Sequence, residues 1–186
     1  MKYVYILSLV FLFFTGCTKE EILPLSLDTG DDISLKNAKT KHYVPFKAAF
    51  DVSIDLASVK LPPPLPKEQN VIGNGNATHL GKTEMFVEQK WWPPHAPPLI
   101  PPYTGTGIGE ITFTAANGDI LLADYNNATG FHKTNNLVIL KFTGHFKDGG
   151  SGRFANAQGS FEYYGEYIID LNKAKATLSG KIKYSK

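Results

Sequence analysis

Few side chains in this 186-residue chain have the types and spacings that support chemistry. The single thiol, Cys17, stands where an apolar run ends and the charged stretch Lys19-Glu20-Glu21 begins. A thiol is a nucleophile once deprotonated, and with no second cysteine it has no disulfide partner within the chain. Histidines stand at 42, 79, 95, 132 and 145, none paired at the short spacing of a local metal clamp, so neither a metal site nor a cofactor is expected. No Gly-x-Ser-x-Gly elbow is present, and the glycine-rich stretches lack the lysine of a phosphate-cradling loop. In "LLADYNN" Asp124 alternates with Ile120 and Leu122, which offers one carboxylate an inward position, with a loop at Asn126-Asn127 as the alternative. No catalytic residue emerges, and the balance tilts away from an enzyme.

Binding chemistry is better represented. The stretch "KWWPPHAPPLIPPY", Lys90 to Tyr103, holds six of the 12 prolines, and "LPPPLP", Leu61 to Pro66, holds four more. Polyproline geometry is stiff, extended and poor at sheet pairing, so both segments read as rigid connections between strands. Adjacent Trp91 and Trp92 cannot both face the interior of one strand, and at least one turns outward or onto a loop. Trp91, Trp92, His95 and Tyr103 therefore form a candidate aromatic platform for a glycan face, a lipid, another hydrophobic small molecule or an envelope protein, held in a frame that limits the entropy lost on binding. A role in capping a barrel mouth is the competing reading. His79 shares alternation with Gly81, Thr83, Met85 and Val87 and is a second candidate, placed inward near a mouth either as a packing element or as a ligand contact. Arg153 is a third, facing either a carboxylate on a neighbouring strand or an anionic ligand. The lysine row of the last strand, Lys175 to Lys183, reads as a solvated face or a contact for anionic glycans.

The address comes from the N-terminus. After Met1 and Lys2, residues Tyr3 to Phe14 form a 12-residue apolar run, short of the roughly 18 needed to span a bilayer as a helix, and small residues follow. That is the pattern of a cleaved secretory signal over residues 1–16. Thr15-Gly16-Cys17 resembles the lipobox of bacterial lipoproteins, which implies acylation of Cys17 and attachment to the membrane by several chains, about 0.8 kcal/mol per buried methylene. Thr18-Lys19-Glu20-Glu21 resembles the signal that carries some Bacteroidetes-type lipoproteins to the cell surface, implying an outer-membrane location that is surface-exposed or periplasmic. Without the signal, 18 basic groups face 17 acidic ones, a balance that argues against a nucleic-acid partner. Residues 17–41 lack sustained periodicity and are expected to be a flexible tether spanning about 25 to 30 Å.

From residue 42 onward the pattern is that of half-buried strands. Phe46, Ala48, Phe50, Val52 and Ile54 alternate with polar or small residues, as do Val138, Leu140 and Phe142, then Phe161, Tyr163, Tyr167 and Ile169, and last Ala176, Leu178, Ile182 and Tyr184. Asn117-Gly118 between "EITFTAA" and "DILLADY" predicts a two-residue hairpin with positive φ at both turn positions, and Asn172-Lys173 a second tight turn. No window carries an amphipathic helix. Residues 42–186 are therefore expected to be one all-β domain, an antiparallel barrel of about eight strands whose closure hides the edges.

Three segments extend this reading: "GNATHLGK" (Gly75 to Lys82), "AANGD" (Ala115 to Asp119) and "GGSGRFANAQGSFEYYGEY" (Gly149 to Tyr167). Over roughly Ile72 to Tyr184 the chain resembles bacterial relatives of the allene oxide cyclase barrel, a fold shared with dirigent proteins. The resemblance implies a barrel whose cavity shapes a reactive hydrophobic guest, while the acidic catalytic positions of that family find no counterpart here. Phe154 is expected to plug one barrel end. A lipid-anchored, noncatalytic binding domain is the leading expectation, a cyclase- or dirigent-like cavity enzyme the second, and a structural envelope component the third. A barrel centre filled by Phe142, Phe161 and Tyr163 would exclude the second.

Overall fold

The computed structural model describes residues 42–60, 66–93 and 101–185. Cys17, the signal, the tether and His95 lie outside the described residues. Eight strands follow in order: β1 (Val44–Lys60), β2 (Lys67–Ala77), β3 (Gly81–Trp92), β4 (Tyr103–Ala115), β5 (Ile120–His132), β6 (Leu137–Lys147), β7 (Gln158–Ile168) and β8 (Lys173–Lys183). A single 3-10 turn, Gly152–Phe154, completes the secondary structure of the described residues. Each strand pairs antiparallel with the next, and β8 pairs with β1 from Val44↔Ile182 to Val52↔Ala174, so the sheet closes on itself. All-β content and closure thus agree with the alternation in the sequence. Inward positions such as Phe46, Phe50, Phe113, Leu121, Phe161 and Leu178 are buried, and outward neighbours such as Lys47, Asp51, Glu162 and Lys175 are exposed.

One end of the barrel is packed solid. Phe46, Phe113, Phe146 and Phe161 meet there with ring centroids 4.9 to 6.3 Å apart, edge-on or tilted. Phe161 reaches its place because its cross-strand partners on both sides, Gly144 and Gly180, carry no side chain; a Cβ on Gly144 would run into the Phe161 ring. Below these rings the 3-10 turn inserts Phe154, fully buried, with its ring 5.1 Å from that of Tyr184. Each such buried ring contributes about 1.5–3 kcal/mol. The chain enters β1 at this plugged end. The strands flanking both proline-rich segments, β1 and β2, then β3 and β4, meet at the other end.

The β4–β5 connection differs from the predicted two-residue turn. Gly118 N–H donates to the Ala115 carbonyl at 2.9 Å, Ala115 N–H donates to the Asp119 carbonyl at 2.9 Å, and of Asn117 and Gly118 only Gly118 has positive φ, +85°. The loop therefore has three residues, a turn closed by one left-handed glycine. The extra residue moves the pairing by one, so Phe113 faces Leu121 rather than Leu122. Leu121, Ala123 and Tyr125 consequently point inward, and Asp124, with Ile120 and Leu122, belongs to the outer face, which corrects the inward position expected for it. Asn126 and Asn127 are not in a loop either: they lie within β5 where its register with β4 and β6 shifts, a bulge after which Ala128, Gly130 and His132 take the inward positions.

At the open end the β1–β8 seam is extended by a side chain. Asn172, at φ +47° in the β7–β8 turn, accepts from Ile54 N–H through Oδ1 at 3.1 Å and donates from Nδ2 to the Ile54 carbonyl at 2.9 Å. The same Oδ1 accepts from the Tyr167 hydroxyl at 3.0 Å. Asn172 thus serves β1 as a further ladder residue where main-chain pairing with β8 has ended, and asparagine tolerates the left-handed backbone. Replacing Asn172 with Gly keeps the backbone conformation and removes only these bonds; urea unfolding should show a loss of about 1–3 kcal/mol, with faster amide exchange at Ile54.

Candidate functional site

Above the phenylalanine layer the interior is not filled. A cavity of about 470 Å³ occupies the half of the barrel that opens between the ends of β1, β3, β5 and β7. This is within the range of small-molecule sites, roughly 300–1,000 Å³. The room exists because of a glycine stripe. Gly105, Gly107 and Gly109 are alternate inward positions of β4, and they let rings from neighbouring strands lie across it. Trp91 folds over its cross-strand partner Gly107, where a Cβ would stand 2.9 Å from the indole, and reaches Gly130 on β5. Tyr125 lies over its partner Gly109.

Beside this stripe runs a stack of rings from β5, β6 and β7. Tyr125 stacks on Phe142 with centroids 4.0 Å apart, and Phe142 stacks on Tyr163 at 4.3 Å, nearly parallel. Phe142 and Tyr163, two of the three side chains expected to fill a closed centre, line the cavity instead. Phe161 lies in the packed layer, and the space beside the indole stays open.

Polar groups lie in two levels. At the rim Lys67 pairs in register with Trp91, and Tyr103 stacks on His132 with centroids 4.1 Å apart. One level deeper, Gln69, Gln89, Gly109 and Tyr125 form a row of cross-strand partners. With Gly109 leaving space, the Tyr125 hydroxyl crosses β4 and donates to Gln89 Oε1 at 2.8 Å. Gln69, only 7% exposed, has no partner for its Oε1 among the described residues.

Apart from the Lys67 ammonium at the lip, the electrostatics keep this lining neutral. Burial pushes the Tyr125 and Tyr163 hydroxyls far above the usual phenol range, so both remain protonated hydrogen-bonding groups. Burial, and secondarily the Lys67 ammonium, hold His132 below the usual imidazole range, so the ring is neutral at pH 7. No carboxylate side chain is among the described residues that line the cavity. The arrangement suits an apolar guest, with a few fixed hydrogen-bonding points to orient it and one cation at the lip.

The structure divides the residues singled out from the sequence. Trp91, Trp92 and Tyr103 come together at the cavity, Trp91 inside and the other two at its rim. His79 and Arg153 lie at the plugged end, contrary to the mouth position expected for His79. His79 occupies the β2–β3 turn at φ +71°, its Nε2 2.9 Å from the Pro45 carbonyl. Arg153 donates to the His79 carbonyl, lies 3.8 Å from Asp119 and covers the Phe154 and Tyr184 rings. Sequence reading missed Lys67, Gln69, Gln89 and His132. The alternation of Val71, Gly73 and Ala77, continued backwards, would have found the first two; the β5 bulge concealed His132.

Compared with protein-family models, curated proteins and solved structures, the chain matches none. Its class is therefore given by its own geometry, a closed eight-stranded antiparallel barrel with one plugged end and one apolar cup.

His132 supplies a pH test. Its lowered folded pKa means that its contribution to stability is fully present above the unfolded value of about 6.5 and is lost as pH falls through the folded value. Between pH 7 and pH 5 the melting temperature of the wild type should fall more than that of His132→Gln. Parallel curves would remove His132 from the account.

Proposed function

We propose that the protein is an exported lipoprotein, anchored through Cys17 at the bacterial envelope, whose barrel holds a hydrophobic small molecule without transforming it. The observation that carries this reading is the 470 Å³ cup, apolar in its walls and open at one end. Aromatic faces supply large contact area at low entropic cost, and among the described lining residues the Lys67 cation at the lip has no carboxylate to form an acid–base pair with. The barrel shape accords with the proposed likeness to allene oxide cyclase and dirigent barrels, in which a cavity shapes its guest. β1 begins at the plugged end of the barrel, opposite the mouth. Trp92 and Tyr103 at the rim are also the part of the site a glycan or an envelope protein would meet first. A cavity enzyme of cyclase or dirigent type is the second reading, supported by the same interior volume, and it requires product formation from a bound guest.

Two experiments test the proposal. The fluorescent apolar probe N-phenyl-1-naphthylamine should bind the full chain, and Ala174→Phe, which places a ring in the cup from β8, should weaken it about tenfold or more while the outward Thr177→Ala leaves it unchanged. Equal binding by all three proteins would sink the cup as the binding site. In the second, Cys17→Ala should move the protein from the detergent-extracted membrane fraction to the soluble fraction of the cell, whereas an unaltered distribution would rule out the lipid anchor.

A further inference from the structure

We propose that the guest of the cup is a neutral molecule carrying a hydrogen-bond donor on an apolar body, and that Gln69 Oε1 accepts that donor. The inference rests on the binding role proposed above and names the chemistry of the ligand. Gln69 is more than nine-tenths buried, lines the cavity, and leaves Oε1 without a partner among the described residues. Buried polar atoms are nearly always paired, and an orphaned acceptor forfeits its hydration with nothing in return. Its nearest polar counterpart in the row does not relieve it. Gln89 is the cross-strand partner of Gln69, yet its amide nitrogen makes no bond to Gln69 Oε1, and its carbonyl accepts the Tyr125 proton at 2.8 Å. The tyrosine donor is thus committed to Gln89, and the Gln69 acceptor stays unpaired on a side chain that lines the space a guest would occupy.

Depth and charge narrow the class. The Gln69–Gln89 pair lies one level below the rim pair Lys67–Trp91, while Val71, Val87 and Ile111 lie deeper. A guest bound with its donor at Gln69 has its polar edge toward the mouth and its apolar body below. An ammonium donor is excluded by the Lys67 cation at the lip and by the absence of any carboxylate among the described lining residues. What remains is a hydroxyl or a neutral N–H on an aromatic or alicyclic frame.

The test compares 2-naphthol with its near-isostere 2-methylnaphthalene, by calorimetric titration of the full chain. With Gln69 as acceptor, the naphthol binds more tightly by about five- to hundredfold, the range a buried carbonyl exerts on a ligand that satisfies it. Gln69→Met removes the preference by weakening the naphthol and leaving the methylnaphthalene equal or tighter. Without ligand it melts at or above the wild-type temperature, because an unsatisfied amide has been exchanged for a thioether of similar shape. Equal affinities in the wild type, or a preference that survives in Gln69→Met, overturn the assignment of Gln69 while leaving apolar binding in place. Failure of both naphthalenes to bind overturns the binding role itself.

Discussion

Nine cross-strand pairs, from Val44↔Ile182 to Val52↔Ala174, join the last strand to the first, and the rest of the molecule depends on that seam. Closure converts a sheet with two faces into a wall with an inside and an outside, and pairs the first and last strands with each other over those nine positions. Main-chain pairing along the seam stops short of the open rim, and the Asn172 amide takes over with both Ile54 backbone groups. The stability of the mouth is therefore tied to a turn residue in a left-handed conformation.

Once the wall is closed, interior volume is distributed by the pairing of large and small inward positions. At one end Phe161 lies across Gly144 and Gly180 and fills the centre with three other phenylalanines. At the other, Trp91 and Tyr125 lie across Gly107 and Gly109, flat against the wall, and the centre stays open. The same exchange of a glycine for ring space gives a plug below and a cup above. Phe142 and Tyr163, expected to block the cavity, stack on each other and line it. The cup's polarity follows from the same rows: Gly109 opens the path by which Tyr125 reaches Gln89, and Gln69 beside it keeps its carbonyl without a donor among the described residues.

Much of the architecture was legible in the chain because it rests on period-two patterning, which any half-buried strand must obey. The inward sets of β1, β6, β7 and β8 read directly from residues such as Phe46, Val138, Phe161 and Leu178. The site was legible only in part. Trp91, Trp92 and Tyr103 stood out by type, and strands flanking the proline segments converge on one end, where the cup opens. His79 and Arg153 were drawn toward ligand roles by their chemistry, yet they clamp the plugged end, because turn position and chain direction decide which end a residue occupies. Gln69 passed unnoticed because an amide on a strand is ordinary until its partners are known.

By itself the sequence determined the all-β character of the described residues and, for β1, β6, β7 and β8, which side chains are mates on one face. Those properties follow from local alternation and turn chemistry. Only the tertiary structure decided that the β4–β5 loop holds three residues, that the bulge at Asn126-Asn127 turns His132 inward, and that glycines on one strand receive rings from the next. A one-residue change of register reverses a strand's faces at little cost in local pattern, so the choice belongs to the packing of all eight strands around a shared interior.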